Sequence, residues 1–257
     1  MKRESDLTRD VAPQRKRIYI ACIVVTTVLS LWWLLGVGFN VISPSPANYW
    51  AGGIVAIPMF VALCTAWFCD APGENRTNVE KASELTRVWF LVTAISQVTW
   101  ELPWLVGDVQ GWMHFTANDH WGWYWWYYGV ADTRYLHSDP NLWAMEMCAI
   151  IGGLLTLFAF CRLVTPAKRD IRQHIISLWI GFFGVAMLYT VLIIYYVSAI
   201  RAHFDFCEHT VAGMVVLFFI DNLPWILAPL IVIPSIPMQI DSLYRKLARQ
   251  PNLSEDK

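Results

Sequence analysis

Six runs of about twenty mainly apolar residues divide this chain, and no other feature restricts its fold as strongly. At a rise of about 1.5 Å per residue, each run is long enough to cross bilayer hydrocarbon as a helix. They cover residues 18–39, 50–69, 86–106, 142–164, 175–200 and 212–236. The expected fold class is all-α, a polytopic transmembrane bundle of six spans. Composition agrees, because 15% of residues are charged where soluble domains carry about 25%. Fifteen Trp point the same way, since Trp collects at membrane interfaces and in large apolar cavities. The first run follows seventeen mostly polar residues and has no small-x-small cleavage site. It reads as a retained helix, not a signal peptide.

Lys and Arg set the expected orientation. With six spans, one side holds both tails and the loops around Arg76 and Lys168, and it carries seventeen of the nineteen basic residues. Only Arg134 and Arg201 fall on the other side. Both termini are therefore expected in the cytoplasm. The sequons at Asn75 and Asn252 then face the cytoplasm and should carry no glycan. Residues 1–17 and 241–257 are the tails, 18–49 the first span with its loop, and 50–240 the main membrane domain. Residues 107–141 are too polar at their ends to span. Their centre, from His120 to Tyr128, is almost wholly aromatic, so they are expected to form an interfacial lid or an aromatic belt.

Three carboxyls interrupt the spans: Glu101, Glu146 and Asp221. Each costs roughly 2.5–3.5 kcal/mol at a helix centre on insertion scales, so such residues face the bundle interior and mark function by default. Counting along their helices puts all three within roughly 7–14 Å of the outer boundary. Gln97 and Glu101 share a helix face at i,i+4, with Asp108 expected on nearly the same face; Asp221 and Trp225 share another beside Asn222. Pro103 and Pro224 each break a helical hydrogen bond nearby, freeing the carbonyls of Thr99 and Ile220. Such breaks are tolerated where they line a cavity. A carboxyl held away from water can act as a proton donor. The alternative is that the acids only bond partner helices together.

Metal and cofactor chemistry find little support. The six Cys form no Cys-x-x-Cys pair, and five lie in apolar runs, where they read as small buried hydrophobes. His114, His120, His137, His203 and His209 lie on the outer side, with Asp119 and Glu208 adjacent to two of them, but in no metal-ligand spacing. No metal, cofactor or nucleic-acid partner is expected.

The run Tyr128-Gly129-Val130-Ala131-Asp132-Thr133-Arg134-Tyr135, followed by Met145-Glu146 early in the next helix, resembles the emopamil-binding protein (EXPERA-domain) family. So does Asn222-Leu223-Pro224-Trp225 with Pro229 in the last span, and Glu101 one helix before the motif. The likeness covers about residues 50–236, leaving span one as an addition to a five-helix core. Gln97 stands where the family has His, and Ala149 where it has Thr. The resemblance implies a sterol Δ8–Δ7 isomerase-like activity, in which buried acids protonate a ring double bond and remove a neighbouring proton. It implies Glu101 and Glu146 as the acid/base residues, with Asp221 as an extra acid. Gln97, Trp100, Asn222, Trp225, Asp132, Arg134 and Tyr135 would make the substrate-binding set, Trp225 meeting a cation through its π face.

The expected function is thus an intramembrane isomerase of a sterol, triterpenoid or other polycyclic lipid. The alternatives are a non-catalytic sterol-binding or transport protein and an acid-initiated cyclase. The expected partners are a sterol- or terpenoid-like ligand and the bilayer, with span one a spacer or a homodimer contact. A eukaryotic host would place the chain in the endoplasmic reticulum, a bacterial one in the inner membrane.

Overall fold

A computed structural model describes residues 7, 10–43, 49–112, 120–165, 170–207 and 212–249. Among them every regular element is helical. The order is α1 (Pro13–Gly38), α2 (Tyr49–Phe68), α3 (Asn78–Ser96), a π-helical turn (Gln97–Glu101), α4 (Leu102–Val109) and α5 (Trp123–Ala131). A 3-10 turn (Thr133–Tyr135), α6 (Pro140–Val164), α7 (Ile171–Arg201), a second π-helical stretch (Ala212–Ile220) and α8 (Leu223–Ala248) complete it. Four helical stretches, Pro13–Gly38, Pro140–Val164, Ile171–Arg201 and Phe218–Ala248, are long and apolar enough to cross a membrane.

Local sequence sets the helix starts. Thr77 and Glu80 form a reciprocal capping box at the head of α3. Asp139 caps the first amides of α6 ahead of Pro140, and Asp170 caps Arg172 in α7. Small residues then set how closely the helices approach. A Cβ on Gly184 would lie 2.7 Å from the Gly152 carbonyl, so α6 and α7 touch backbone to backbone there. Gly153 likewise leaves room for the Gln97 side chain.

Two of the six expected spans are not continuous α-helix. The third runs through α3, the first π-helical turn and α4; the sixth runs through the second π-helical stretch and α8. A π-turn closes i→i+5 hydrogen bonds and so adds a residue, which turns everything after it by about 100°. This corrects the expected alignment of Asp108 with Gln97 and Glu101. Asp108 instead accepts a hydrogen bond from Ser138 Oγ at 2.7 Å, away from those residues. The cysteines are corrected too. Cys22 and Cys207 are buried, whereas Cys64, Cys148 and Cys161 are exposed on their helices and Cys69 is exposed just past the end of α2. A thiol in an apolar run is as compatible with a lipid-facing position as with a core.

At the basic end of the bundle, a buried ion network joins α1 to the α2–α3 loop. Arg15 is 2% exposed and pairs with Glu74 and, through Nε and Nη2, with Glu84 at 2.8 and 3.0 Å. Arg76 bonds Glu84 at 3.0 Å and Asp70 at 2.6 Å, and donates to the carbonyls of Ala66 and Cys69. Tyr19 donates to Glu84 at 2.5 Å.

Candidate functional site

The first π-helical turn is where chemistry concentrates. Its first and last residues, Gln97 and Glu101, both line a cavity of about 610 Å³. That lies within the roughly 300–1,000 Å³ usual for small-molecule sites. Glu146 reaches the same cavity from the second turn of α6, and Asp221 and Asn222 reach it from the junction before α8. The three acids expected at one depth thus share one cavity.

Glu101 and Glu146 meet carboxyl to carboxyl, within hydrogen-bonding reach. Such a bond needs a proton on one of the two groups. Glu146 also accepts a hydrogen bond from the Tyr135 hydroxyl. The other Glu101 oxygen, Oε2, is buried and has no hydrogen-bond partner among the described residues. The same holds for Gln97 Oε1 and Asp221 Oδ1. Buried polar atoms are ordinarily paired, so these orphans, with the Tyr195 hydroxyl a fourth on the same lining, mark a place suited to something polar or reactive.

Aromatic rings hold the pair in place. Tyr135 meets Trp100, Trp104 and Tyr128 edge to face, with centroids 5.4, 5.0 and 5.3 Å away. Trp104 Nε1 donates to the Tyr135 carbonyl at 3.2 Å. The lid helix α5 closes over the broken backbone, where Trp125 Nε1 donates to the Trp100 carbonyl at 3.1 Å. At the second break, Asn222 Nδ2 donates to the Phe218 carbonyl at 2.9 Å and to the Tyr128 hydroxyl at 3.3 Å. Tyr196 donates to the same Phe218 carbonyl at 3.0 Å. The side chains that answer the breaks therefore bond Trp100 and Phe218, not Thr99 and Ile220. Trp225 lines the cavity against Trp89, centroids 5.0 Å apart.

Of the expected residues, Gln97, Trp100, Glu101, Tyr135, Glu146, Asp221, Asn222 and Trp225 line this one cavity. Asp132 and Arg134 do not. Asp132 is fully buried and takes the Arg134 guanidinium on both oxygens, at 2.7–3.2 Å. Arg134 also lies 3.7 Å over the Phe206 ring and bonds Ser198 on α7 at 2.8 Å. This pair fixes the turn that presents Tyr135, and acts from behind the cavity wall.

Sequence reasoning missed Tyr128, whose hydroxyl accepts from Asn222, and named Tyr135 as a ligand contact without its bond to Glu146. One signal was available. Leu-Pro-Trp follows Glu101 and recurs after Asn222, and both copies restart an α-helix after a π-helical stretch. His120, His137 and His203 do not line the cavity. His114, Asp119, Glu208, His209 and the sequon at Asn252 lie outside the described residues. Among the described residues no three of His, Cys, Asp and Glu converge as metal ligands do. No protein-family model, curated protein or solved structure matches the chain.

Proposed function

We propose that this chain is an intramembrane isomerase that shifts a double bond in a sterol, triterpenoid or other polycyclic lipid. The observation that carries the reading is the buried Glu101–Glu146 pair in an aromatic-walled cavity. A pair that holds one proton is both an acid and a base. In the proposed reaction its proton adds to one alkene carbon, and the alkene electron pair forms the new C–H bond. The adjacent carbon becomes cationic. A carboxylate of the pair then takes a proton from the next carbon, and that C–H electron pair becomes the shifted double bond. No proton is gained or lost overall. Fixed negative charge and the faces of Trp100 and Trp225 stabilise the cation in a site sheltered from water. Tyr135 steadies Glu146, with the Asp132–Arg134 pair positioning the turn.

Asp221 favours a second reading. A third acid on a different wall suits an acid-initiated cyclase, which protonates an alkene or epoxide far from the first pair. One experiment separates these readings. The purified chain is incubated with candidate sterols and polyene lipids in D₂O, and products are read by mass spectrometry. The isomerase gives deuterated product with its double-bond count unchanged; a cyclase loses a double bond. A binding or transport protein leaves its ligand free of deuterium. If Glu101→Gln and Glu146→Gln both leave turnover intact, the isomerase reading fails.

We further propose six spans with both termini in the cytoplasm. The support is the clustering of Lys and Arg and a helical counterpart for each apolar run. Glycan on Asn75 would overturn this topology.

A further inference from the structure

Helix α1 lies outside the part of the chain that carries the family resemblance, yet it builds one side of the cavity. Only 11% of its apolar window is buried, against 33–44% in the other three long apolar helices. It is clamped at both ends. At the basic end Arg15 and Tyr19 bond Glu84. At the lid end Gly38 lies under the Trp121 ring, where a Cβ would come within 2.6 Å, and Phe39 meets Trp121 edge to face at 5.1 Å. Between the clamps α1 packs along α2 and reaches α5.

Its middle has two distinct faces. Tyr19, Ile23, Thr26 and Ser30 follow i, i+4, i+7, i+11 spacing and line the same cavity as Glu101 and Glu146. Val24, Val28, Leu31 and Leu35 follow the same spacing on the opposite side and are 43–58% exposed. A helix retained only as a spacer or anchor has no need of hydroxyls on its inward face. From α3 the same cavity takes Val88, Val92 and Ile95 along its middle, with Glu84 and Arg87 toward the basic end and Ser96 beside Gln97.

We propose that α1 is a substrate-contacting wall of this site: Ile23 lies against the body of a polycyclic lipid, and Thr26 and Ser30 hydrogen-bond an oxygen function, a hydroxyl or ketone, on that body. This rests on the polycyclic-lipid reading above and adds to it that the preferred lipid is oxygenated. The first span is then a specificity element.

The test uses the purified full chain and radiolabelled cholesterol, alongside 5-cholestene, which has the same rings without the oxygen. Thr26→Trp, which fills the cavity, should weaken cholesterol binding at least tenfold; Val28→Trp, on the opposite face, should leave it unchanged. Thr26→Val with Ser30→Ala should weaken cholesterol binding several-fold and leave 5-cholestene unaffected. Wild-type affinity in Thr26→Trp, or equal loss in Val28→Trp, overturns the assignment. If the wild-type chain binds no sterol, the lipid reading of the cavity falls by itself. The wall is then decided by labelling with a charged methanethiosulfonate reagent, followed by intact mass. Thr26→Cys should gain label at least tenfold faster than Val28→Cys, and equal rates overturn the proposal.

Discussion

The two ends of α3 handle buried acids in opposite ways. At the basic end buried Glu84 meets Arg15 and Arg76, buried Glu74 meets Arg15, and the more exposed Asp70 meets Arg76 and Lys81. About 25 Å along the same helix axis, Glu101 meets another acid, and Asp221 Oδ1 has no hydrogen-bond partner among the described residues. Arg134 is close to this end but is held by Asp132. Taking charge out of water is costly, and a compensated network recovers part of that cost while holding elements in register. An uncompensated acid recovers little, so it persists where reactivity is needed. The basic end joins helices through ion pairs, with Tyr19 and Glu84 also reaching the cavity lining, and the lid end carries the candidate acid pair. The same residue type serves both, and its partners decide which.

The largest effect should come from the acid pair. Glu146→Gln should lower turnover by about 10²–10⁴, the usual worth of a general acid or base, with ligand affinity changed less than about threefold. Turnover in D₂O and equilibrium binding on the same preparation check this. Loss of both together would make Glu146 a structural residue and erase the contrast.

Stability should then respond in opposite directions at the two ends. Arg15→Met removes the Arg15–Glu74 pair and should cost about 3 kcal/mol, the lower range for breaking a buried pair, since Glu84 keeps Arg76. Glu101→Gln and Asp221→Asn should leave the unfolding midpoint in detergent unchanged or raise it. A midpoint drop as large as that of Arg15→Met would mean that these acids also hold the bundle together.

A smaller effect is expected at the lid. Trp125→Phe removes the donor to the Trp100 carbonyl and should cost about 1 kcal/mol, with faster ligand release than in the wild type. Stopped-flow displacement of bound ligand reads this directly. Unchanged release would assign α5 to the membrane interface, with no role in covering the cavity.

The smallest effect is a pH dependence at the basic end. Partial burial works to raise the Asp70 carboxyl, but hydrogen bonds and charge from Arg76 and Lys81 outweigh it and hold the group below its ordinary range. A lowered folded-state value gives stability that is complete above the ordinary carboxylate range. That stability is lost as pH falls through the lowered value. Asp70→Asn should therefore melt below the wild type at neutral pH, and the two should converge in acid. A difference that persists in acid would point to packing and not charge.

Much of the helical architecture was legible because a helix is the structure that lets a run of about twenty apolar residues pair its backbone within itself. The acids were legible as costly exceptions within such runs. Asp108 was misplaced because helical counting assumes 3.6 residues per turn, and the π-helical turn at Gln97–Glu101 breaks the count. Asp132 and Arg134 were read as ligand contacts because a motif gives neighbours in sequence but no direction for side chains.

The amino-acid order by itself determined the helical class, the positions of the apolar runs, the basic asymmetry and the places of Glu101, Glu146 and Asp221 along their apolar runs. These follow from composition and from rise per residue, which are local quantities. Only the tertiary structure decided that the three acids share a cavity and that Glu101 meets Glu146 while Tyr135 donates to it. It also decided that Arg15 crosses from α1 to Glu84. Those outcomes depend on helix rotation, which π-helical turns, glycine contacts and neighbouring helices set together, and no single stretch of sequence carries it.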